Sequence, residues 1–220
     1  ATSHRLKRRD WSLRASGGHI IRVGSEAPEL IPGVDRDRQQ DAMAFFESMG
    51  YAEYSDVVTM AMSLESWAMP TAVAEAAESL RASGYRFEWY TELSCIPLME
   101  FVEAHCPQAW ADTVRRAVLR NKAGEDILLA LDSRGGIAGY CQRCSDGVPS
   151  HVGPLGVERR LRGRRIGSVL FSLMVEDMVR RGIQGVSLGW IAVEHDARCF
   201  YEQQGMHVVR HYLSLCKALM

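Results

Sequence analysis

The sequence predicts an α/β protein, a mixed and mostly antiparallel sheet flanked by helices, with part of a second, similar unit ahead of it. Three observations predict this. Apolar residues make up 47% of the 220-residue chain, enough to bury a core. Short β-rich runs alternate with segments whose apolar residues recur at helical spacing. The stretch from Asp41 to Gly50 also returns in register as Asp196 to Gly205, an offset of 155 residues (196 − 41). Self-similarity at so long a spacing indicates a duplicated domain, not a solenoid.

Taken in order, Ile20 to Val23 reads as a short strand, and a Gly/Pro loop leads to a polar helical stretch from Asp35 that stops at Gly50. Asp56 to Leu64 alternates as a strand does. Pro70 then suits the first turn of a helix carrying Val73, Ala76, Ala77 and Leu80 on one face, with Gly84 as its stop. Tyr85 to Thr91 reads as a strand, followed by helices over Leu93 to His105 and Ala109 to Leu119. Ile127 to Leu131 and Ile137 to Gln142 flank Asp132-Ser133-Arg134-Gly135-Gly136, a loop of hairpin length and chemistry, so they should pair antiparallel. His151 to Val157 is the next strand. A helix bearing Ile166, Val169, Leu170, Leu173 and Met178 follows an arginine-rich loop, and Val186 to Ile191 is again a strand. A helix from Asp196 to Gln204 and an apolar run from Val208 to Leu219 end the chain.

Charge and cysteine usage bound the function. Lys and Arg total 26 against 27 Asp and Glu, so a net charge of −1 supplies no global attraction for nucleic acid or an anionic membrane. No apolar run approaches the roughly 20 residues of a membrane span, and Ala1 to Trp11 has no signal-peptide core. The expectation is a cytoplasmic protein with no membrane partner. Six cysteines in such a chain read as reduced thiols, with Cys199 and Cys216 as core residues. Cys141 and Cys144 have a metal-like spacing, but no second pair accompanies them, and no metal is expected.

The most informative segment runs from Val157 through Glu158-Arg159-Arg160-Leu161-Arg162-Gly163-Arg164-Arg165-Ile166-Gly167 to Ser168, a strand end passing through a loop into a helix. Main-chain N–H groups in such a turn, together with the helix N-terminus, favour an anion, and five arginines reinforce the field. A basic loop of this kind also occurs as a solvated surface or a nucleic-acid patch. Its place between an apolar strand and an apolar-periodic helix favours a bound pyrophosphate, with no nucleic-acid partner.

Residues 157 to 170 resemble the signature of the GNAT superfamily of acetyl-CoA-dependent N-acetyltransferases, in which Arg or Gln is followed by two residues, Gly, one residue, and Gly or Ala. Arg162 takes the first position and Gly167 the last. Arg165 stands where the middle glycine is usual, an arrangement the loop accepts if its backbone angles are ordinary. Ala197 to Met206 resembles the family's late helix, Ala-x-x-x-Tyr-Glu-x-x-Gly-Phe, and Asp41 to Tyr51 resembles the same helix of a preceding copy. Tandem GNAT chains carry a phrase similar to Gly153-Pro154-Leu155-Gly156-Val157.

The resemblance implies a GNAT fold with three regions: residues 1–66 as the terminal portion of a degenerate GNAT-like unit lacking its front, 67–84 as a helical connector, and 85–220 as a complete GNAT domain. It implies acetyl transfer from acetyl-CoA to a primary amine by direct attack in a ternary complex, the acceptor being a small molecule such as an amino sugar and the enzyme a monomer or homodimer. Leu155, Gly156 and Val157 would hold the pantetheine arm through main-chain groups. Arg162, Gly163, Arg164, Arg165, Ile166, Gly167 and Ser168 would hold the phosphates. Glu194 falls where relatives have an asparagine that steadies the cofactor. Tyr201 stands where the family carries the acid that protonates the leaving thiolate, although a core tyrosine also suits the position. Phe46, its equivalent in the first copy, has no hydroxyl. His151 lies where some relatives place a general base; an exposed strand-start histidine, Glu158, or a water relay are the other accounts. His105, Trp110 and Asp112 lie near the turn that in the family walls the acceptor pocket. The competing expectation is a non-catalytic module that binds CoA or a protein.

Overall fold

The structure, a computed structural model, describes residues 20–24, 33–192 and 196–218. Its contacts divide the chain into two compact units, residues 61–188 and residues 1–60 with 189–220.

The 61–188 unit is built on a four-stranded antiparallel sheet in the order β4 (Arg86–Trp89), β5 (Ile127–Leu131), β6 (Ile137–Arg143), β7 (Val152–Val157). Helices α3 (Cys95–His105) and α4 (Gln108–Leu119) cover one face. Leu98, Phe101, Val102, Ala111 and Val114 enclose Ile127, Leu129 and Tyr140 there. Helix α6 (Ile166–Arg180) covers the other, its buried Ile166, Val169, Leu170, Met174 and Met178 recurring at helical spacing. With both faces covered, β5 is apolar throughout. Helix α2 (Thr71–Ala82) starts after Pro70 and packs on α6 through the same unit. The β5–β6 hairpin turns as its composition demands: Asp132 accepts the N–H groups of Arg134 and Gly136 on one carboxylate oxygen, at 2.8 and 2.9 Å.

The ladder between β6 and β7 shifts register between Cys141 and Arg143. Opposite that point Pro154 has no N–H to donate, so the regular pairing cannot run through it.

The other unit contains β1 (Ile20–Val23) and β2 (Val34–Asp35), both antiparallel to β9 (His207–Ala218). It also holds most of β3 (Ala52–Ser63), which neighbours β9, and the end of β8 (Gly185–Ala192). Val34, Tyr51, Leu213 and Leu215 form its core with Met43 and Phe46 of α1 (Gln40–Ser48). Helix α7 (Asp196–Gln203) precedes β9. The repeat seen in the sequence recurs in the elements: β3 and β9 both have 12 residues and begin 155 apart (207 − 52). Gly50 and Gly205, which link helix to strand at the two matching places, have positive φ values of 81° and 90°.

Short elements and some boundaries depart from the sequence expectations, β3 starting at Ala52 and not Asp56 among them. The first helix begins at Gln40, not Asp35, because Asp35 lies in β2 opposite Tyr212 and its carboxylate takes the N–H groups of Asp37 and Arg38, both at 3.1 Å. A single-turn helix, α5 (Ala123–Asp126), precedes β5. Cys199, expected in the core, is exposed on α7, and Cys216 is half-buried.

Candidate functional site

Strand β7 is the end strand of its sheet, paired on the β6 side alone among the described strands. Register decides which of its main-chain groups are open. Glu158 N–H donates to Ala138 O at 2.9 Å, and Gly139 pairs with Val157, Tyr140 with Gly156, Cys141 with Leu155. Antiparallel pairs alternate between bonded and non-bonded, so Gly156 is bonded to β6 whereas Leu155 and Val157 turn their N–H and C=O groups to the free edge. The Val157 carbonyl bears this out, since it accepts from Arg162 Nε at 3.4 Å on that side. His151, just before β7, makes an isolated parallel bridge with Ser187, which is in a different sheet.

Gly156 is needed for close packing. A Cβ there would lie 2.9 Å from Cys106 Sγ, 3.1 Å from Tyr140 and 3.4 Å from Trp110. The α3–α4 turn thus rests directly on the middle of the open strand. We expect Gly156→Ala to destabilise the protein by about 1–3 kcal/mol through overpacking. Denaturant unfolding checks this, and Cys106→Ala in the same chain should return most of the loss. Of the other residues expected near this turn, Trp110 packs edge-on against Tyr140 and His105 lies tilted on Phe101, while Asp112 is tied to Arg115 on the exposed side of α4. Burial pushes the Cys106 thiol up to about 11, with Arg162 pulling slightly the other way.

From Val157 the chain enters a one-turn 3-10 helix, Arg159–Leu161, and reaches α6 through Gly163 at φ 78° and Arg165 at φ 67°. Helix α6 has no side-chain cap. Its hydrogen bonding begins with Val169 N–H on Arg165 O at 3.0 Å, so the N–H groups of Ile166 and Gly167 have no partner in the helix. The Ile166 and Ser168 side chains are buried, which fixes the turn, and Gly167 is half-buried. Arg159, Arg160, Arg162, Arg164 and Arg165 are exposed, and none makes an ion pair with a carboxylate among the described residues. Five guanidinium groups without a carboxylate partner among the described residues surround an uncapped helix start, an arrangement that would suit a multiply charged anion. Open strand edge and anion cradle are continuous in sequence, which suits a long ligand with phosphates at one end and amides along the other, as CoA has.

Arg165 differs from expectation: its backbone angles are not ordinary but left-handed. A side chain there costs roughly 1–2 kcal/mol that glycine avoids, in part offset by glycine's greater freedom when unfolded. Arg165→Gly should therefore leave stability equal or raise it by about 1 kcal/mol, readable as a higher denaturation midpoint. A clear loss would mean the guanidinium holds the loop together.

His151 Nδ1 lies 2.5 Å from Asp146 Oδ2, a neighbour not anticipated from the sequence. A carboxylate five residues from a histidine has no periodic signature; the Asp146-Gly147 pair, a turn-forming dipeptide, is the one local signal the segment offers. Tyr201 belongs to the other unit, 7% exposed on α7 and edge-on to Phe200 at 4.9 Å. Glu194 lies outside the described residues. No cluster of three metal-ligating side chains occurs among the described residues, and no helix there is long and apolar enough to cross a membrane.

This arrangement, with an open-edged strand of an antiparallel sheet running into an arginine-ringed helix start, is the fold of the GCN5-related N-acetyltransferases. Solved structures with that fold match most of the chain. A fungal GCN5-related glucosamine N-acetyltransferase region, within a multi-domain GH3 β-N-acetylglucosaminidase, matches 94% of this chain at 20% identity with a TM-score of 0.79. A GCN5-related N-acetyltransferase from Sphaerobacter thermophilus matches 84% at 24% identity and TM-score 0.64, and a tandem GNAT protein of the clavulanic acid pathway 96% at 17% and 0.60. The chain spans 26% of the fungal protein, 58% of the Sphaerobacter protein and 67% of the tandem protein. No family model and no curated protein matches the sequence.

Proposed function

We propose that this chain is a cytoplasmic N-acetyltransferase that moves an acetyl group from acetyl-CoA to a primary amine of a small molecule. The observation that carries the reading is the free edge at Leu155 and Val157 leading into the uncapped start of α6. Acetyl-CoA supplies the activated thioester. The N–H groups of Ile166 and Gly167 and the surrounding arginines hold its diphosphate, while Leu155 and Val157 hold the pantetheine amides through their main chain. One of those N–H groups polarises the acetyl carbonyl and stabilises its developing negative charge. Gly156 makes room for the Cys106 side chain and contributes no outward hydrogen bond.

The acceptor amine attacks directly. Cys106 packs on the middle of β7, and burial keeps it protonated near neutral pH, which disfavours a covalent acyl-cysteine route. His151 takes the amine proton and Tyr201 returns one to the departing thiolate. Positioning of both substrates supplies the remainder of the rate. The fungal neighbour's glucosamine activity supports an amino sugar as the acceptor. The matching helix–strand pairs ending at β3 and β9 support a degenerate first GNAT-like unit, residues 1–66, joined through 67–84 to a GNAT domain at 85–220.

Calorimetric titration with acetyl-CoA, followed by a thiol-release assay over an amine panel that includes glucosamine, tests the reading. Saturable binding with amine-dependent thiol release is expected. Binding without release against every amine would leave a CoA-binding module, and no binding would end the proposal.

A further inference from the structure

We propose that Asp146 is a positioning residue for His151: it accepts the proton-bearing Nδ1 of the imidazole and leaves Nε2 as the proton acceptor for the attacking amine. This rests on reading His151 as the base. Asp146 Oδ2 lies 2.5 Å from Nδ1. The other carboxylate oxygen accepts Val148 N–H at 3.1 Å, so neither oxygen is idle. The Asp146 side chain is only 15% exposed against 35% for His151, and Nε2 has no hydrogen-bond or ion-pair partner among the described residues. The carboxylate is thus the more buried partner, and the ring is the accessible one.

The loop that carries the pair is closed by its own hydrogen bonds. Cys144 N–H donates to His151 O at 2.9 Å, Gly147 N–H to Cys144 O at 3.0 Å, and His151 N–H to Val148 O at 3.0 Å. Cys144 and Gly147 supply positive φ values of 54° and 89° that let the chain turn back. Ser187 N–H on Ser150 O ties the loop to the next strand at 3.0 Å. The geometry therefore exists before any substrate arrives, which is what a general base requires.

Other charges around the loop are already committed. Arg143, at its base, pairs with Asp126 at 3.1 Å and donates to Glu125 O, so it does not neutralise Asp146. The Cys144 thiol is pushed up by burial and then by the charges of Asp126 and Asp146, with Arg143 and Arg120 acting the other way. It stays protonated near neutral pH and adds no charge. In the step itself the amine N–H bond breaks and an Nε2–H bond forms, and Asp146 stabilises the resulting imidazolium without taking the proton.

Long-range ¹⁵N–¹H NMR of the histidine rings in the free protein reads the tautomer directly. The wild type should show His151 as the Nδ1–H form at high pH, and Asp146→Ala should shift it toward Nε2–H. In steady state Asp146→Ala should lower kcat 10- to 100-fold with the amine KM within twofold and acetyl-CoA affinity unchanged; added to His151→Ala it should cost nothing more. A wild-type ring already in the Nε2–H form overturns the proposal whatever the variant does. So does a normal kcat in Asp146→Ala when His151→Ala is impaired. Full activity in His151→Ala overturns it through the base, while acetyl-CoA binding and turnover would leave the transferase reading standing.

Discussion

Replacing Gly167 by glutamate should abolish CoA binding, with a loss of at least 100-fold in affinity by calorimetry. Gly167 stands in the first turn of α6, where its N–H has no helical partner and no side chain caps the helix. A carboxylate there would meet the incoming diphosphate. Two unit charges about 4 Å apart repel by about 4 kcal/mol at an effective dielectric near 20, and each 1.4 kcal/mol is tenfold in affinity. The substitution is also informative because it should spare the fold. A glutamate in the first turn suits the helix dipole, so the thermal midpoint should hold or rise slightly. Unchanged affinity would mean that this turn is not where the donor binds.

The second large effect is expected at Tyr201. Tyr201→Phe should lower kcat by about 10²- to 10⁴-fold, the range usual for loss of a general acid, while acetyl-CoA affinity changes little. The repeat makes this a clean substitution. Phe46, 155 residues earlier in the matching segment, lies edge-on to Phe45 at 5.4 Å as Tyr201 does to Phe200 at 4.9 Å, so a phenyl ring suits a comparable packing without a hydroxyl. Thiol-release kinetics and calorimetry on the same preparation separate the two quantities. An unaltered turnover would leave Tyr201 as a core residue and require another proton source.

Long periodic elements were legible from the sequence because their signal is local. Ile166, Val169, Leu170 and Met178 marked α6, and the Asp132 to Gly136 turn marked the β5–β6 hairpin. The elements that escaped are set by partners far away in the chain. Val34 and Asp35 are a strand only because Leu213 and Tyr212 lie opposite, and Asp35 then delays the first helix with its own carboxylate. The arginine loop was recognisable from composition and spacing, but the left-handed angle at Arg165 was not, since nothing in the residue itself signals it. Likewise Leu155, Gly156 and Val157 looked equivalent until the register separated the two outward positions from the inward one. Asp146 became visible only through its contact with the ring.

The open border of β7 is also a hazard for the chain that carries it, because an unpaired strand invites a strand from another molecule and so begins aggregation. The arginines beside it counter this. A second copy approaching the border would bring its own uncompensated cationic loop toward the first, and repulsion of like charges disfavours the docking. That protection weakens as salt shortens the Debye length. The features that would welcome an anionic donor therefore also help keep the molecules apart in dilute buffer.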